Sequence, residues 1–318
     1  MATAVEAAAA IRSVGKGRLM SGDPDAGRMG AHTHSRAAPL MTTNGCDSLN
    51  RGRAGSVSER QAAGVAGVCR ERVDVVGDCR LVVGDGCWQY AVDNADAIAA
   101  HWRRRREETP SFFDGVVHLM SHAAIEDGRL QARLLRTDFK SYLHWRDAGY
   151  PDAGVRDGFG SAIVLSADGH VLLGRQRAGN INSGLVYFPG GFIDARDVAA
   201  DGRVEIEASI ARELVEETGL DPRQGERLAG YRICWSGPQL AIGVGWRFAE
   251  PAWLLRQRML DHLARETASE LEDIVVVGSI QQLAPAAMPA YARLLLRHLL
   301  EEGGHSPADG DLRAWRRP

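Results

Sequence analysis

A chain of 318 residues with 45% hydrophobic residues and a formal net charge of −3 has the size and composition of one large or two modest globular domains. The near-neutral charge does not indicate a general nucleic-acid binder, and no run approaches the roughly 18 apolar residues that a membrane span needs. The five cysteines are odd in number and form no C-x2-C pair, so neither a disulfide framework nor a zinc site is expected. We therefore expect a cytoplasmic protein without a membrane or nucleic-acid partner, and the sequence does not specify its oligomeric state.

The two ends of the chain are predicted to lack a packed core. Residues 1–70 are rich in Ala, Gly, Ser and Arg, and their hydrophobic residues recur with neither helical nor strand periodicity. Such a segment buries too little apolar surface to offset the entropy of ordering it. We therefore predict a disordered tail over 1–70 and a second loose tail over 304–318.

Residues 71–150 predict a small α+β subdomain. Short β-rich runs at 73–76 and 81–83 flank Gly77-Asp78, which suggests a hairpin. The further elements expected here are helices over 95–108 and 138–148 and strands over 113–120 and 130–135.

Residues 151–303 alternate between strand and helix patterns, which is typical of an α/β domain. Strands are expected over 158–166, 170–177, 184–188, 228–235, 240–248 and 274–277. Helices are expected over 252–270 and 289–302, in addition to the helix discussed next. Strands on both sides of that helix fit an α/β/α sandwich.

The most informative segment is the run RELVEETGL. The spacing of Ile206, Ile210 and Leu214 by four predicts a helix through this run, and Gly219 is expected to end it, because glycine adopts positive φ at low cost. At about 100° per residue, Glu213 and Glu217 point to the sector that the apolar residues bury.

A solvated acidic face is the usual interpretation of such a run, because charges normally lie opposite the apolar side of a helix. It fits poorly here, since unpaired carboxylates against a core cost several kcal/mol unless a cation compensates them. Glu213, Glu216 and Glu217 stand at i, i+3 and i+4 and can converge on a hard divalent cation. Arg212 is expected to reach Glu216 one turn on and to fix its rotamer.

Together with the Pro-Gly-Gly at 189–191, this run resembles the signature of the Nudix hydrolases, G-x5-E-x7-R-E-U-x-E-E-x-G-U, where U is a bulky aliphatic residue. It matches the second half of the signature at every specified position. The first half departs, because Arg212 lies 21 positions after Gly191, which places seven extra residues in the loop, and Val204 stands where the signature has glutamate. That glutamate's role is expected to be lost or to pass to another acid, and the candidates are Glu205, Asp194, Asp197 and Asp201.

The Nudix resemblance implies an α/β/α sandwich and a metal-dependent hydrolase that cleaves the phosphoanhydride of a small-molecule nucleoside diphosphate linked to another group. It implies Mg²⁺ or Mn²⁺ as cofactor, and the expected ligands are Glu213, Glu216, Glu217 and the backbone carbonyl of Gly190. The candidate catalytic residues are Glu213, Arg212 and Glu217, of which Glu213 is expected to orient or deprotonate the water and Arg212 to be structural. A further acid is expected from outside the signature, and the candidates are Glu266, Glu270 and Glu272.

Two pairs of residues are candidates for substrate contacts. Arg175 and Arg177 alternate on a predicted strand and project to one face, where they meet either phosphate or solvent. Trp235 and Tyr231 are expected either to stack on a base or to lie in the core.

The substrate expectation follows from a finer resemblance. The YLHWR segment at 142–146, the RDGFG segment at 156–160 and the enlarged loop look like the UDP-glucose/galactose pyrophosphatase branch of the family. That branch implies cleavage of a UDP-sugar to UMP and sugar 1-phosphate. The alternatives are a pyrophosphatase for ADP-ribose or another dinucleotide and, in a different class, a catalytically silent Nudix domain that binds a nucleotide and regulates.

Overall fold

The computed structural model describes residues 71–302, and the tails predicted for 1–70 and 304–318 lie outside the described residues. The strands are β1 (Arg72–Val76), β2 (Asp78–Val83), β3 (Val116–Glu126), β4 (Arg129–Asp138), β5 (Asp157–Leu165), β6 (Val171–Gln176), β7 (Val186–Tyr187), β8 (Gly225–Arg227), β9 (Tyr231–Ser236), β10 (Gln239–Phe248) and β11 (Leu271–Val277). The helices are α1 (Gln89–Asp93), α2 (Ala95–Glu108), α3 (Phe139–Asp147), α4 (Ile206–Thr218), α5 (Ala252–Arg265) and α6 (Ala290–Glu302).

A mixed sheet of eight strands carries the candidate site. Its strands lie in the order β1-β9-β10-β5-β6-β11, with β7 paired to β6 and β8 paired to β10. Strands β5 and β10 run parallel over nine residue pairs, from Asp157 beside Gln239 to Leu165 beside Arg247. Parallel strands are normally buried on both faces, and β5 is accordingly apolar along most of its length.

Side chains alternate across β5, so its two faces contact different helices. Ala162 and Val164 lie in a core with α4 and α5, whereas Ile163 lies in a second core with α6. Helices therefore cover both faces of the sheet, and the predicted α/β fold class is confirmed. No helix within residues 71–302 has both the length and the apolar composition needed to cross a bilayer.

The N-terminal residues form a second sheet of three strands, in the order β2-β4-β3. One face of this sheet contributes Leu81 and Leu130 to the same core as α4. The other face packs Leu119 and Leu135 against α3. The three-stranded sheet thus lies between α3 and the core beneath the signature helix.

The hairpin predicted for 73–76 and 81–83 is wrong. Strand β1 pairs antiparallel with β9 over five residue pairs, and β2 pairs parallel with β4 over six, so the two runs belong to different sheets. The turn at Gly77 does break the strand, but each run pairs with a partner distant in sequence and buries Val76 or Leu81 in one shared core. The division of the chain at residue 150 stays a prediction.

Helix α1 and strand β8 were not predicted, and β3 ends at Glu126 rather than at residue 120. The remaining elements agree with the predicted ones to within a few residues, apart from α5. That helix ends at Arg265 rather than at Glu270, because Glu266 adopts extended backbone angles (φ −81°, ψ 120°) and leads into β11. The earlier end places Glu270 next to strand β6, where its carbonyl accepts a hydrogen bond of 2.8 Å from the Arg177 N–H.

Strand β2 holds the enlarged loop between Gly191 and α4. The Val83 N–H donates to the Gly202 carbonyl (2.9 Å), and the Val204 N–H donates to the Leu81 carbonyl (3.0 Å). Val204 is only 7% exposed and lies in the core shared with α4. The loop therefore pairs with the N-terminal sheet, and position 204 requires an apolar side chain here instead of the signature's glutamate.

Restoring that glutamate by Val204→Glu is expected to lower the free energy of unfolding by about 3 kcal/mol or more, because an unpaired carboxylate would enter the core. Urea denaturation followed by circular dichroism measures the change. Glu205→Gln, at an exposed neighbouring position, is the control and should leave stability nearly unchanged. A Val204→Glu protein as stable as the parent would contradict the packing described above.

Candidate active site

Helix α4 positions the carboxylates of the signature. Ile206, Ile210 and Leu214 are buried between α4 and the large sheet, as their spacing predicted. The helix ends at Gly219, whose φ of +72° is left-handed. A Cβ at this position would lie 2.7 Å from the ring of His262, so both the backbone conformation and the available space require glycine.

Glu213 and Glu217 project into the buried side of α4, where they are only 4% and 7% exposed. Glu217 Oε2 accepts a hydrogen bond of 3.0 Å from the Gly190 N–H. Gly190 in turn packs against β5, since a Cβ there would lie 2.2 Å from the carbonyl oxygen of Gly160. The Pro-Gly-Gly turn, β5 and α4 therefore meet at the Glu217 carboxylate.

The buried acids raise one another's pKa. Burial raises the pKa of Glu213 to about 8, and the charges of Glu216 and Glu270 add to the rise. Burial also raises the pKa of Glu217, with further contributions from Glu270 and Glu213. Glu270, one of the acids considered from outside the signature, is thus close enough to interact with both carboxylates. A group of acids placed in this way either takes up protons or binds a cation.

In their present positions, no three acidic, histidine or cysteine side chains within residues 71–302 converge closely enough to hold one metal ion. The donor chemistry nevertheless suits Mg²⁺ or Mn²⁺, which prefer the carboxylate and carbonyl oxygens of Glu213, Glu216, Glu217 and Gly190. Gly191 leaves room beside Glu213, because a Cβ there would lie only 3.3 Å from the Glu213 carboxyl carbon. The residues therefore fit a divalent cation after side-chain rotation, and their role as ligands stays a prediction.

Two ion pairs connect the enlarged loop to α4. Arg212 Nη2 donates to Asp197 Oδ1, and the Asp197 side chain is completely buried. Asp197 Oδ2 also accepts a hydrogen bond of 2.9 Å from the Asp194 N–H. Asp194 binds the guanidinium of Arg196, which lies 3.8 Å from Glu213 Oε1. The enlarged loop thus places the Arg196 guanidinium near Glu213 and the Asp197 carboxylate against Arg212.

These contacts distinguish the four acids considered as replacements for the signature glutamate. Asp201 pairs with Arg203 at the exposed surface, and Glu205 is the exposed residue before the first turn of α4. Asp194 is buried and pairs with Arg196, and Asp197 is buried against Arg212, so these two stay the candidates for the replacement. The predicted contact between Arg212 and Glu216 stays a prediction.

The two arginines considered for phosphate binding donate hydrogen bonds to backbone carbonyls. Arg175 Nη1 donates to the Gly184 carbonyl (3.2 Å), and Arg177 Nη2 donates to the Leu271 carbonyl (3.4 Å). Gln176 stands between them, so its side chain points to the opposite face, and it lines the cavity described below. The sequence predicted that Arg175 and Arg177 share one face of the sheet. It did not predict that the cavity lies on the opposite face, with Gln176.

The two aromatic residues considered for base stacking have structural partners. Trp235 is 4% exposed within the core, and its Nε1 donates to Asp74 Oδ2 (2.8 Å). The Tyr231 hydroxyl donates to Glu207 Oε2 (2.7 Å). Trp235 therefore lies in the core, whereas Tyr231 is only partly buried at its edge, and a role in substrate binding stays a prediction for both.

A cavity beside Gly190 and Glu270 is lined by side chains from distant parts of the chain. Its aromatic lining includes Tyr142 of α3, Phe159 of β5, Phe192 of the enlarged loop and Tyr291 of α6, and its polar lining includes Asp157. Sequence reasoning missed all five as site residues. The available signal was that Tyr142, Asp157 and Phe159 fall in the two short segments that carry the finer family resemblance.

Removing the buried carboxylate by Asp197→Ala is expected to cost about 3 kcal/mol of stability, because the Arg212 guanidinium would be left unpaired. The matched control is Asp201→Ala, which breaks an exposed pair in the same loop and should cost about 1 kcal/mol or less. Thermal and urea denaturation measure both variants, and a cycle with Arg212→Ala isolates the pairwise energy. Equal losses for the two aspartates would contradict the structural role of Asp197.

The raised pKa of Glu213 makes the stability of the metal-free protein depend on pH. Its ordinary pKa is 4.5 and its folded pKa is about 8, so between these values the folded chain binds more protons than the unfolded chain. Stability is therefore expected to fall as pH rises through this window. Melting temperatures measured with a chelator over this range test the trend. Glu213→Gln should flatten the profile, and an unchanged profile would contradict the raised pKa of the buried Glu213 carboxylate.

Residues 156–287 match the family model of the NUDIX domain. None of the curated proteins compared with the chain matches it significantly. Among solved structures, the MutT protein from Methanosarcina mazei Go1 is 20% identical, with a TM-score of 0.31, and the match covers 47% of this chain and 96% of that one.

Two further solved structures are similar over about half of the chain. A bifunctional NMN adenylyltransferase/ADP ribose pyrophosphatase from Francisella tularensis, complexed with AMP and Mn ion, is 19% identical with a TM-score of 0.35, and the match covers 51% of this chain and 45% of that one. Shewanella oneidensis NrtR, complexed with a 27mer DNA, is 21% identical with a TM-score of 0.31, and the match covers 45% of this chain and 60% of that one. The absence of a nucleic-acid partner stays a prediction for this chain.

These identities and TM-scores are low, so the assignment rests on the family match together with the signature on α4. Over residues 156–287 the chain contains a Nudix domain, and the enzyme class that this domain supports is a Nudix-type pyrophosphohydrolase.

Proposed function

We propose that the chain hydrolyses the phosphoanhydride bond of a nucleoside diphosphate linked to another group, with a divalent cation as cofactor. The observation that carries this proposal is the placement of Glu213 and Glu217, two buried carboxylates, on the signature helix of a Nudix domain. Glu270 interacts with both and also lines the neighbouring aromatic cavity. Buried acids that raise one another's pKa suit a hydrolase that binds a cation and an anionic substrate.

The proposed cofactor is Mg²⁺ or Mn²⁺, held by Glu213, Glu216, Glu217 and the Gly190 carbonyl. When bound, such an ion neutralises phosphate charge and lowers the pKa of water. The proposed proton acceptor of the chain is the Glu213 carboxylate, which burial and the neighbouring acids Glu216 and Glu270 make more basic than an ordinary glutamate. The Gly190 N–H donates a hydrogen bond of 3.0 Å to Glu217 and so holds this carboxylate beside Gly190, which lines the cavity.

The candidate substrates differ in the nucleotide base and in the group linked to the diphosphate. A UDP-sugar is one candidate, supported by the segment that places Tyr142 and Arg146 in the cavity lining. ADP-ribose or another dinucleotide is the alternative. A panel of UDP-sugars, ADP-ribose, NADH and dinucleoside polyphosphates, assayed by phosphate release after coupling to a phosphatase, separates them. A silent regulatory domain would show no turnover on any member of the panel.

Glu217→Gln is the test of the carboxylates. The amide oxygen can still accept from the Gly190 N–H, and the variant removes a buried charge, so the metal-free melting temperature should be kept or raised. The stabilisation that millimolar Mg²⁺ gives the parent should be mostly lost. Turnover on the best substrate of the panel should fall by about 10² or more.

The control for this variant is Glu226→Gln, at an exposed position of β8, which should resemble the parent in all three measurements. If Glu217→Gln were as active as the parent and responded equally to Mg²⁺, these carboxylates would have no role in metal-dependent hydrolysis.

A further inference from the structure

Asp157, the first residue of β5, carries a buried carboxylate that the proposed hydrolysis does not use. The residue is 2% exposed and lines the cavity. Its Oδ2 accepts one hydrogen bond from the Tyr142 hydroxyl (3.0 Å) and another from Gln239 Nε2 (3.2 Å). Its Oδ1 is buried and has no hydrogen-bond partner in the part of the chain that the structure describes. Because a buried unpaired acceptor is costly, this oxygen indicates a donor that a ligand supplies.

The surroundings of this oxygen suit a flat ring. The rings of Phe159 and Tyr291 lie edge to face with centroids 4.7 Å apart, and those of Tyr142 and Phe192 do so at 4.9 Å. All four rings line the same cavity as Asp157. The lining also contains polar side chains, among them Gln176, Asn182 and Glu270. Aromatic walls combined with polar groups that fix orientation are typical of sites for planar ligands.

The charge state of Asp157 follows from the same contacts. Burial raises its pKa, and the hydrogen bonds from Gln239 and Tyr142 and the charge of Arg146 oppose the rise. The rise prevails, so burial favours the neutral acid, and the two donors on Oδ2 only reduce this effect. The carboxylate form is therefore the one to study at mildly alkaline pH. A ligand N–H on Oδ1 would favour the carboxylate.

We propose that this cavity binds the base of the nucleotide substrate and selects bases whose exocyclic amine donates to Asp157 Oδ1, as in adenine and cytosine. A carbonyl at the same place, as in uracil or hypoxanthine, would direct a lone pair at the carboxylate and leave Oδ1 unpaired. The proposal rests on the proposed function for the presence of a nucleotide and adds the class of base.

The selecting groups include residues outside the stretch that matches the family model. Tyr142 comes from α3, before that stretch, and Tyr291 comes from α6, after it. Gln239 and Asp157 come from β10 and β5, which pair side by side at this point. The parallel pairing thus places the Gln239 amide on Asp157 and leaves only Oδ1 for the ligand.

Nucleoside binding tests the selection without any reaction. Isothermal titration calorimetry on the full chain, with a chelator and at mildly alkaline pH, compares cytidine with uridine and adenosine with inosine. Within at least one pair, the amine-bearing nucleoside is expected to bind about tenfold more tightly or better, which corresponds to about 1.4 kcal/mol. Equal or tighter binding of uridine and inosine would overturn the proposal, and so would the absence of binding by all four nucleosides.

Asp157→Asn is expected to reverse the preference between amine-bearing and carbonyl-bearing nucleosides. The amide oxygen should stay on the Tyr142 and Gln239 donors, so the amide N–H₂ would face the cavity and donate to a ligand carbonyl. The preference is therefore expected to shift toward uridine or inosine. Asp221→Asn, at a distant aspartate paired with Arg223, is the control and should keep the parental ratio. A folded Asp157→Asn protein that still prefers the amine would overturn the proposal. If the variant does not fold, the ratio of nucleoside affinities measured on the parent protein alone tests the proposal.

Failure of this inference and failure of the proposed function have different signatures. Nucleosides contain no phosphoanhydride and the titrations contain no metal, so amine selection without turnover on the panel would refute the hydrolase alone. Turnover of a UDP-sugar combined with tighter binding of uridine would refute the amine selection alone.

Discussion

The burial of two carboxylates on the apolar side of α4 is the constraint on which the rest of the structure depends. A carboxylate removed from water costs several kcal/mol unless a proton, a cation or several donors compensate it. Glu217 receives one backbone donor, from Gly190, and this contact requires the turn before the loop to lie directly on β5. Glycine at 160 and 190 is the consequence, because any side chain at either position would separate the helix, the turn and the strand.

The N-terminal sheet takes part in the same arrangement. Strand β2 pairs with the enlarged loop, and the loop then places Asp197 against Arg212 and Arg196 near Glu213. In the family signature a glutamate belongs at position 204, but that position is used here to anchor the loop in the core. The enlarged loop supplies two other buried acids, Asp194 and Asp197, and their role in place of the signature glutamate stays a prediction.

Local sequence patterns predicted most of the helices and strands and the burial of Glu213 and Glu217. The four-residue spacing of Ile206, Ile210 and Leu214 was sufficient to place Glu213 and Glu217 on the buried side of a helix, because helical geometry alone relates these positions. The hairpin over 73–83 failed, since turn chemistry shows where a strand breaks but not which distant strand it joins. The cavity could not be predicted either, because its walls come from α3, β5, β10, the loop and α6, which only tertiary packing brings together.

The acids of α4 and part of the cavity lining come from different parts of the chain. The acids proposed to bind the cation lie within residues 156–287, on a helix whose sequence is fixed by the signature. Tyr142 and Tyr291, which line the cavity beside them, lie on elements outside that stretch. A substitution at Tyr142 or Tyr291 would therefore change the lining of the proposed base cavity at a position outside α4. In the proposal above, the base is held by residues of both parts, because Asp157 and Gln239 lie within residues 156–287 and Tyr142 donates to Asp157 from α3.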